Sequence, residues 1–501
     1  MKRSKHTLSN YRLFTCDMGQ LVPVGLQEAL PGDTFQLSSS AMIRVSPLAA
    51  PVMHPVTVRL HHFFVPHRLV WNGWEDFITG GPDGRNASSP PVIGVPLDGS
   101  KKGTLWDYLG VPVINAVGST PFSMSAMPLN GINLIWNEFY RDQDLSVERA
   151  LTDDTMPNIA WGKDYFTAAR PWTQKGPDIT LPLGTQAPVK GIGVLVGSQA
   201  SPNPGQMLET GNGGAHQAWA QAYAMSQQSP QSLGYIETSG TGAEPVIFAD
   251  LTQAGQIDVN DFRRAFALQR YQEARARYGS RYTEYLRYLG VTPSDARLQR
   301  PEYLGGGSSR INFSEVLQTA GDVPIDASRE SFGVGDLYGH GIAGLRHGRI
   351  RRFIEEHGYI HSFMSVRPKG IYMNGLHRTF LRKTKEDFYQ RELEAIGQQE
   401  VLQAEIFADP TNQSGVFGYQ DRYSEYKETP SLVAGEYRDI LDYWHMGREL
   451  PAATALNDQF VKCVPTKRIH NVQTNNTLWC MVNNQVVARR LVKRSGASYI
   501  L

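Results

Sequence analysis

The sequence predicts a mainly β protein: a sandwich of strands drawn from distant parts of the chain, with long helical and loop insertions between them. Three observations predict it. Strand-like alternation occurs near both ends and again between them, each run bounded by turn or proline signals. The 501 residues include 48 Gly and 30 Pro while charged residues form only 19%, a turn-rich balance that favours sheets over helical bundles. The strand-like runs are also too far apart for hairpins, so their pairing is long-range, as in a β-sandwich of the jelly-roll type.

"DTFQLSSSAMIRVSP" (Asp33 to Pro47) follows the turn signal "LPGD" and alternates into a strand. In "VTVRLHHFFVPHRLVW" (Val56 to Trp71), alternation puts Val56, Val58, Leu60, His62 and Phe64 on one face and Thr57, Arg59, His61, Phe63 and Val65 on the other. Pro66 lacks a backbone donor and ends the strand. His61 and His62 then point to opposite faces, and no Cys, Asp or Glu in the stretch completes a ligand set. Hydrogen-bonded structural histidines are therefore expected in place of a metal site. Trp71, Trp74 and Phe77 follow at helical spacing, as candidates for a subunit interface or a loop core. "HGYIHSFMSVRP" (His357 to Pro368) is a further strand stopped by proline, and "NTLWCMVNNQVVARRL" (Asn476 to Leu491) has two apolar bursts around Asn483 and Asn484.

Helices fill the gaps. Ile132, Ile135, Trp136 and Phe139 fall at helical spacing. "GTLWDYLGVP" (Gly103 to Pro112) offers Thr104 as a cap, Asp107 three residues later, and Gly110 then Pro112 as stops; "YLRYLGVTP" (Tyr285 to Pro293) ends alike. From about Gly184 to Gln256 the composition turns to Gly, Ser, Gln, Asn and Pro with almost no charge. Loops of that length are uncommon in compact domains and usually functional or disordered. Trp219 and Tyr223, with neighbouring apolar residues, could pack there in a small substructure, so an exposed insertion ordered by assembly is expected. The chain thus divides into residues 1–183, an insertion at 184–256, and residues 257–501.

A formal charge of +1 gives no overall attraction to nucleic acid or acidic lipid, so any such contact must be local. Cys16, Cys463 and Cys480 are too few and scattered for a disulfide framework, which suggests synthesis in a reducing compartment. No apolar run approaches the roughly 20 residues of a membrane-spanning helix, and no membrane insertion is expected. "YLGGGSSR" (Tyr303 to Arg310) resembles a phosphate loop only in its glycines and reads as a flexible loop. The pairs Asp153/Asp154 and Glu355/Glu356 diverge as sequence neighbours, and no GxSxG, HExxH or EF-hand pattern occurs. Neither catalytic residues nor cofactor or metal sites are expected.

The local basic clusters are of more interest. "RRAFALQRYQEARARYGSRYTEYLR" (Arg263 to Arg287) reads as a helix carrying arginines around much of its circumference, and "LRHGRIRRF" (Leu345 to Phe353) is denser. Two short cationic tails flank likely strands: Lys2, Arg3 and Lys5 at one end, and Arg489, Arg490, Lys493 and Arg494 at the other. Such tails neutralise phosphate without reading bases, which makes these seven the candidate nucleic-acid contacts.

Several blocks together carry a resemblance. "HHFFVPHRLVWNGWEDF", "PLNGINLIWNEFYRDQDL" (Pro128 to Leu145), "DYFTAARPWTQKG" (Asp164 to Gly176), "DARLQRPEYLGGGSSRI" (Asp295 to Ile311), "HGYIHSFMSVRP" and "GYQDRYSEYKETPSLVAGEYRDILDYWH" (Gly418 to His445) resemble the major capsid proteins of the Microviridae, closest to the gokushovirus type. The resemblance runs in order from about Leu30 to Arg490 and fails only in the polar insertion. It implies an eight-stranded antiparallel jelly roll, assembled as identical copies into a T=1 icosahedral shell around circular single-stranded DNA. It also implies that residues 184–256 form a protrusion at the three-fold axes, used in attachment to a host surface receptor. A small basic DNA-packaging protein and a pilot protein are the implied partners, and the virion, assembled in the host cytoplasm, the implied location. The residues alone leave open a second reading, a monomeric carbohydrate-binding or carbohydrate-cleaving β-sandwich protein.

Overall fold

The computed structural model describes residues 3–95, 102–113, 121–177, 179, 260–279, 281–317 and 337–494, with the backbone of Val259 and of short strands between 189 and 249. Eight long strands build the sandwich: β1 (Asn10–Cys16), β2 (Leu21–Ala29), β3 (Thr34–Val45), β4 (Val56–Pro66), β5 (Glu302–Arg310), β6 (Leu337–Arg346), β7 (Gly358–Pro368) and β8 (Leu478–Arg490). They pair in the orders β1-β8-β3-β6 and β2-β7-β4-β5, antiparallel throughout. The chain changes sheet at every step except β4 to β5, which is the jelly-roll winding expected from long-range pairing. The first sheet is widened to seven strands by Ser4–Thr7 along β8, Ile350–Phe353 along β3 and Asn312–Leu317 along β6.

Alternation fills the space between the sheets. Val22, Val24, Ile43, Val45, Val56, Val58, Leu60, Met364, Val366, Leu478 and Val482 form one buried cluster; Phe35, Leu37, Phe64, Ile360 and Val486 form a second. Each such side chain contributes roughly 1.5–3 kcal/mol on leaving water. A polar layer crosses the same space. His347 Nδ1 donates to Gly348 O (2.7 Å), so its Nε2 accepts from Ser39 N (2.9 Å) and from His62 Nε2 (2.8 Å). His62 Nδ1 is left to accept from Ser362 Oγ (2.7 Å), and Ser39 Oγ donates to Asn484 Oδ1 (2.7 Å). The single strand β8 joins the two apolar bursts through this Asn484. His61 points the other way, its Nδ1 sharing a hydrogen with the Tyr140 hydroxyl (2.6 Å), so the two histidines lie on opposite faces and are hydrogen-bonded as expected.

The glycine run expected to be a flexible loop is instead β5, a strand of the second sheet. A Cβ at Gly306 would sit 2.0 Å from Leu60 O, and one at Gly307 2.7 Å from His347 Cβ. The glycines let β5 lie flush on β4 and over the histidine layer.

Long connections carry the helices. Helix α1 (Leu105–Leu109) stops at Gly110, left-handed with φ +102°, while Asp107 accepts from Gly103 N, one residue before the Thr104 cap (2.8 Å). Helix α2 (Met127–Ile135) continues into a π-turn, Trp136–Tyr140. Its Leu129, Ile132 and Ile135 cover the outer face of the second sheet against Leu21, Phe63, Val65 and Phe363. The arginine-rich helix expected as one is two, α3 (Val259–Tyr278) and α4 (Tyr282–Tyr288), broken at Gly279 with φ +97°. The β4–β5 and β7–β8 connections share a further core of Phe166, Tyr372, Ile406, Phe417 and Phe460.

The chain separates into two compact units, Met1–Gln174 with Arg275–Leu501, and Lys175–Ala274. The insertion at 184–256 falls within the second. Its backbone forms a four-stranded sheet ordered Ala218–Trp219, Met207–Glu209, Ser232–Ile236, Ile192–Val196, and a separate pair of Val189–Lys190 with Phe248–Ala249.

Candidate nucleic-acid interface

Whereas α2 covers the second sheet, the outer face of the first is open among the described residues. Alternation brings its outward residues into rows. Trp479 of β8 lies between Thr15 of β1 and Arg44 of β3, Met481 between Leu13 and Met42, and Asn483 between Tyr11 and Ser40. Strand β6 adds Ile342 beside Arg44, Gly344 beside Met42 and Arg346 beside Ser40. Farther along, Arg489 sits between Lys5 and Thr34, and Arg351 faces Gln36. Tyr11 is 69% exposed, Leu13 70% and Trp479 48%. Single exposed apolar residues are ordinary, but a contiguous patch on one sheet face marks an interaction surface.

The charges on this face are of one sign. Arg3, Lys5, Arg44, Arg346, Arg351 and Arg489 are exposed, and none forms an ion pair with a described residue. No carboxylate occupies an outward position of the described strands in this sheet. Beside Trp479 the face deepens into a groove of about 880 Å³, lined by Arg12, Phe14, Arg44, Lys102 and Tyr108 among others. The carboxylate in its wall, Asp107, is the one held by Gly103 N. Arg12 donates to Tyr108 O (2.7 Å), and the Tyr108 hydroxyl to Thr15 O (2.6 Å), which fixes the groove's floor. Exposed guanidinium groups beside flat aromatic rings can hold phosphates and stack bases with little regard to sequence.

The residues anticipated from the tails divide by the pleat. Lys5 and Arg489 are cross-strand partners on the open face, and Arg3 lies over the Phe353 ring (5.2 Å). Arg490 turns the other way: its guanidinium donates to buried Asp33 Oδ2 (2.7 Å) and Glu28 O (3.0 Å) and lies over Phe35. That arginine is a structural element of the sandwich edge. Lys493 and Arg494 follow, exposed, and Lys2 is outside the described residues. Trp71, Trp74 and Phe77 form one half-buried aromatic group, with centroids 5.3 Å (Trp71–Phe77) and 5.9 Å (Trp74–Phe77) apart, beside His67. They pack within the chain as a loop core with a partly exposed rim. Trp219 lies on a short insertion strand whose side chains are not described, and Tyr223 is outside the described residues. Arg346 falls in the basic run "LRHGRIRRF"; Tyr11, Arg44, Trp479 and Met481 were not anticipated, although the alternation in "AMIRV" and "LWCMVNN" already set Arg44, Trp479 and Met481 opposite the core positions.

The sequence pattern of the family described as "Capsid protein (F protein)" matches residues 1–495. The chain belongs to this phage capsid family. Among relatives of this capsid protein, the Capsid protein VP1 of Bdellovibrio phage phiMH2K is 32% identical over 92% of this chain and 88% of its own length. Those of Chlamydia phage 1 and Spiroplasma virus 4 are 28% and 29% identical, each over 92% of this chain and over 89% and 87% of their lengths. The family is one of structural shell proteins, not enzymes, in agreement with the resemblance carried by the quoted blocks. Among the described residues no helix is long and apolar enough to cross a membrane.

Proposed function

We propose that this capsid protein forms an icosahedral shell around a circular single-stranded DNA genome, with the open face of the first sheet turned inward. One observation carries the orientation: among the described residues the open face has six cations without ion pairs, rings at Tyr11 and Trp479, and no outward carboxylate, whereas the opposite face is covered by α2. A polyanion with stackable bases is the complement of such a surface. The insertion at 184–256 we assign to the exterior, at the three-fold axes, in contact with a host receptor. A small basic packaging protein would neutralise most genome phosphate, since the shell protein itself carries a formal charge of only +1. A pilot protein completes the expected set, and assembly takes place in the host cytoplasm.

The test combines imaging with titration. Purified with its companion proteins, the chain is expected as closed spherical particles, and a persistent 55.8 kDa monomer would reject the reading. In oligo(dT) titrations, Arg44→Gln should lower the slope of log affinity against log salt by about 0.7, as for one lost single-strand phosphate contact. Trp479→Ala should weaken binding by about 1–3 kcal/mol if a base stacks there. Unchanged slope and affinity in both variants would remove the open face from the proposal.

A further inference from the structure

The other side of the sandwich holds a cavity that genome enclosure leaves unexplained. It has a volume of about 810 Å³, within the range that small-molecule sites occupy. Its floor is the outer face of the second sheet. Ser365 of β7 lies opposite Arg59 of β4, and Arg367 opposite Thr57, so the two arginines rise from the same face in neighbouring rows. Phe139, Tyr140 and Tyr303 line the walls.

Nine arginine or lysine side chains and four carboxylates line this one space, in a chain whose formal charge is +1. Four of these nine cations pair closely with a carboxylate. Lys163 pairs with Asp142, Arg170 with Asp144 (3.0 Å), Arg300 with Asp295 (2.8 Å) and Arg277 with Asp421 (2.8 Å). Arg59 and Arg367 have no ion-pair partner among the described residues. Burial, and then the charge of Arg59, hold the Arg367 guanidinium below its usual pKa. His61 is pushed down to about 4 by burial and then by both arginines. Two buried donors lining the same space, Nε of Arg141 and Nε of Arg281, also lack acceptors among the described residues. Arg59 is exposed and Arg367 partly buried; two like charges side by side on one sheet face, with orphaned buried donors around them, are unfavourable unless an anion completes the set.

We propose that this cavity binds a phosphorylated ligand, with its phosphate between Arg59 and Arg367 and its remainder against Phe139 and Tyr303. A dianionic tetrahedral group accepts from two guanidinium forks at once, whereas one carboxylate satisfies a single fork. The site is on the face opposite the genome platform and does not depend on the shell's orientation.

Pyrophosphate is the probe, titrated calorimetrically into assembled wild-type particles at low salt. Saturable uptake is expected, weakened about ten-fold or more in R59Q/R367Q, since a charge-assisted hydrogen bond is lost with each arginine. Citrate should bind about ten-fold more weakly than pyrophosphate. R44Q/R346Q, on the opposite sheet, should lose oligo(dT) affinity but keep pyrophosphate uptake, which separates this site from the genome reading. Equal pyrophosphate uptake by wild type and R59Q/R367Q would overturn the proposal, as would citrate binding as well as pyrophosphate. Should the double variant not fold, phenylglyoxal labelling of wild type decides: pyrophosphate must slow modification of Arg59 and Arg367 while Arg44 reacts at its former rate. Unprotected Arg59 and Arg367 would overturn the proposal equally.

Discussion

Arg489 and Arg490 are neighbours in sequence with opposite surroundings, and the pleat alone separates them. Arg489 faces outward beside Lys5, where two like charges opposite one another are mildly unfavourable without an anion. Arg490 meets Asp33, which is fully buried and also accepts from Leu30 N (3.0 Å). Removing one partner of a buried pair leaves the other charge uncompensated, typically at a cost of about 3–5 kcal/mol. Arg490→Ala should therefore destabilise the subunit by about 3 kcal/mol in urea unfolding, while Arg489→Ala changes stability by less than about 0.5 kcal/mol and weakens only oligo(dT) binding. Equal stability losses would show that the pleat assignment at the end of β8 is wrong.

At the scale of elements, the seating of α2 on β7 depends on one glycine. A Cβ on Gly131 would lie 2.6 Å from Nε2 of His361, which is fully buried and stacked on Phe363. Helix propensity alone favours Gly131→Ala by about 1 kcal/mol, but overpacking of a filled contact costs about 1–3 kcal/mol. A net loss is expected by denaturant unfolding, and it should shrink in a His361→Ala background; strict additivity of the two changes would reject the contact as the cause. The strands legible in the sequence were those where β-branched and aromatic residues alternate: β3, β4, β7 and β8. Strands β5 and β6 escaped because glycine lowers strand propensity, and the reason for their glycines is tertiary. A Cβ at Gly339 of β6 would approach Ala50 O to 2.3 Å, and one at Gly341 would approach Val45 Cγ2 to 2.6 Å. Strand β2 hides behind Pro23 and Gly25, which flank a register shift against β7 where an unpaired residue is tolerated. The candidate interface was half legible for a related reason. Cationic tails can be read in one dimension, but the rows joining Arg44 to Trp479 exist only once β3 and β8 are paired.

For the molecule as a whole, five histidines from distant parts of the chain share one property. His54, His62, His67, His361 and His470 are all buried. Burial is the largest cause in each case, holding His62 and His361 at about 3 and His54, His67 and His470 at about 4 against an ordinary 6.5. The fold therefore keeps all five neutral where the unfolded chain takes up protons. Above pH 6.5 both states carry them neutral and stability is unaffected; below it, each costs about 1.4 kcal/mol per pH unit until its folded pKa is reached. Five such groups cost on the order of 7 kcal/mol over one unit, comparable to the whole stability of a typical domain. Acid should thus unfold the free subunit cooperatively between about pH 5.5 and 4, with net proton uptake. Replacing His62 with Gln, which cannot titrate, should reduce the slope of unfolding free energy against pH by about 1.4 kcal/mol per unit in that window. Urea titrations of wild type and His62→Gln at pH 7.5, 6 and 5 measure it directly, and parallel slopes would mean that the layer linking Ser362, His62 and His347 already holds a proton in the folded state.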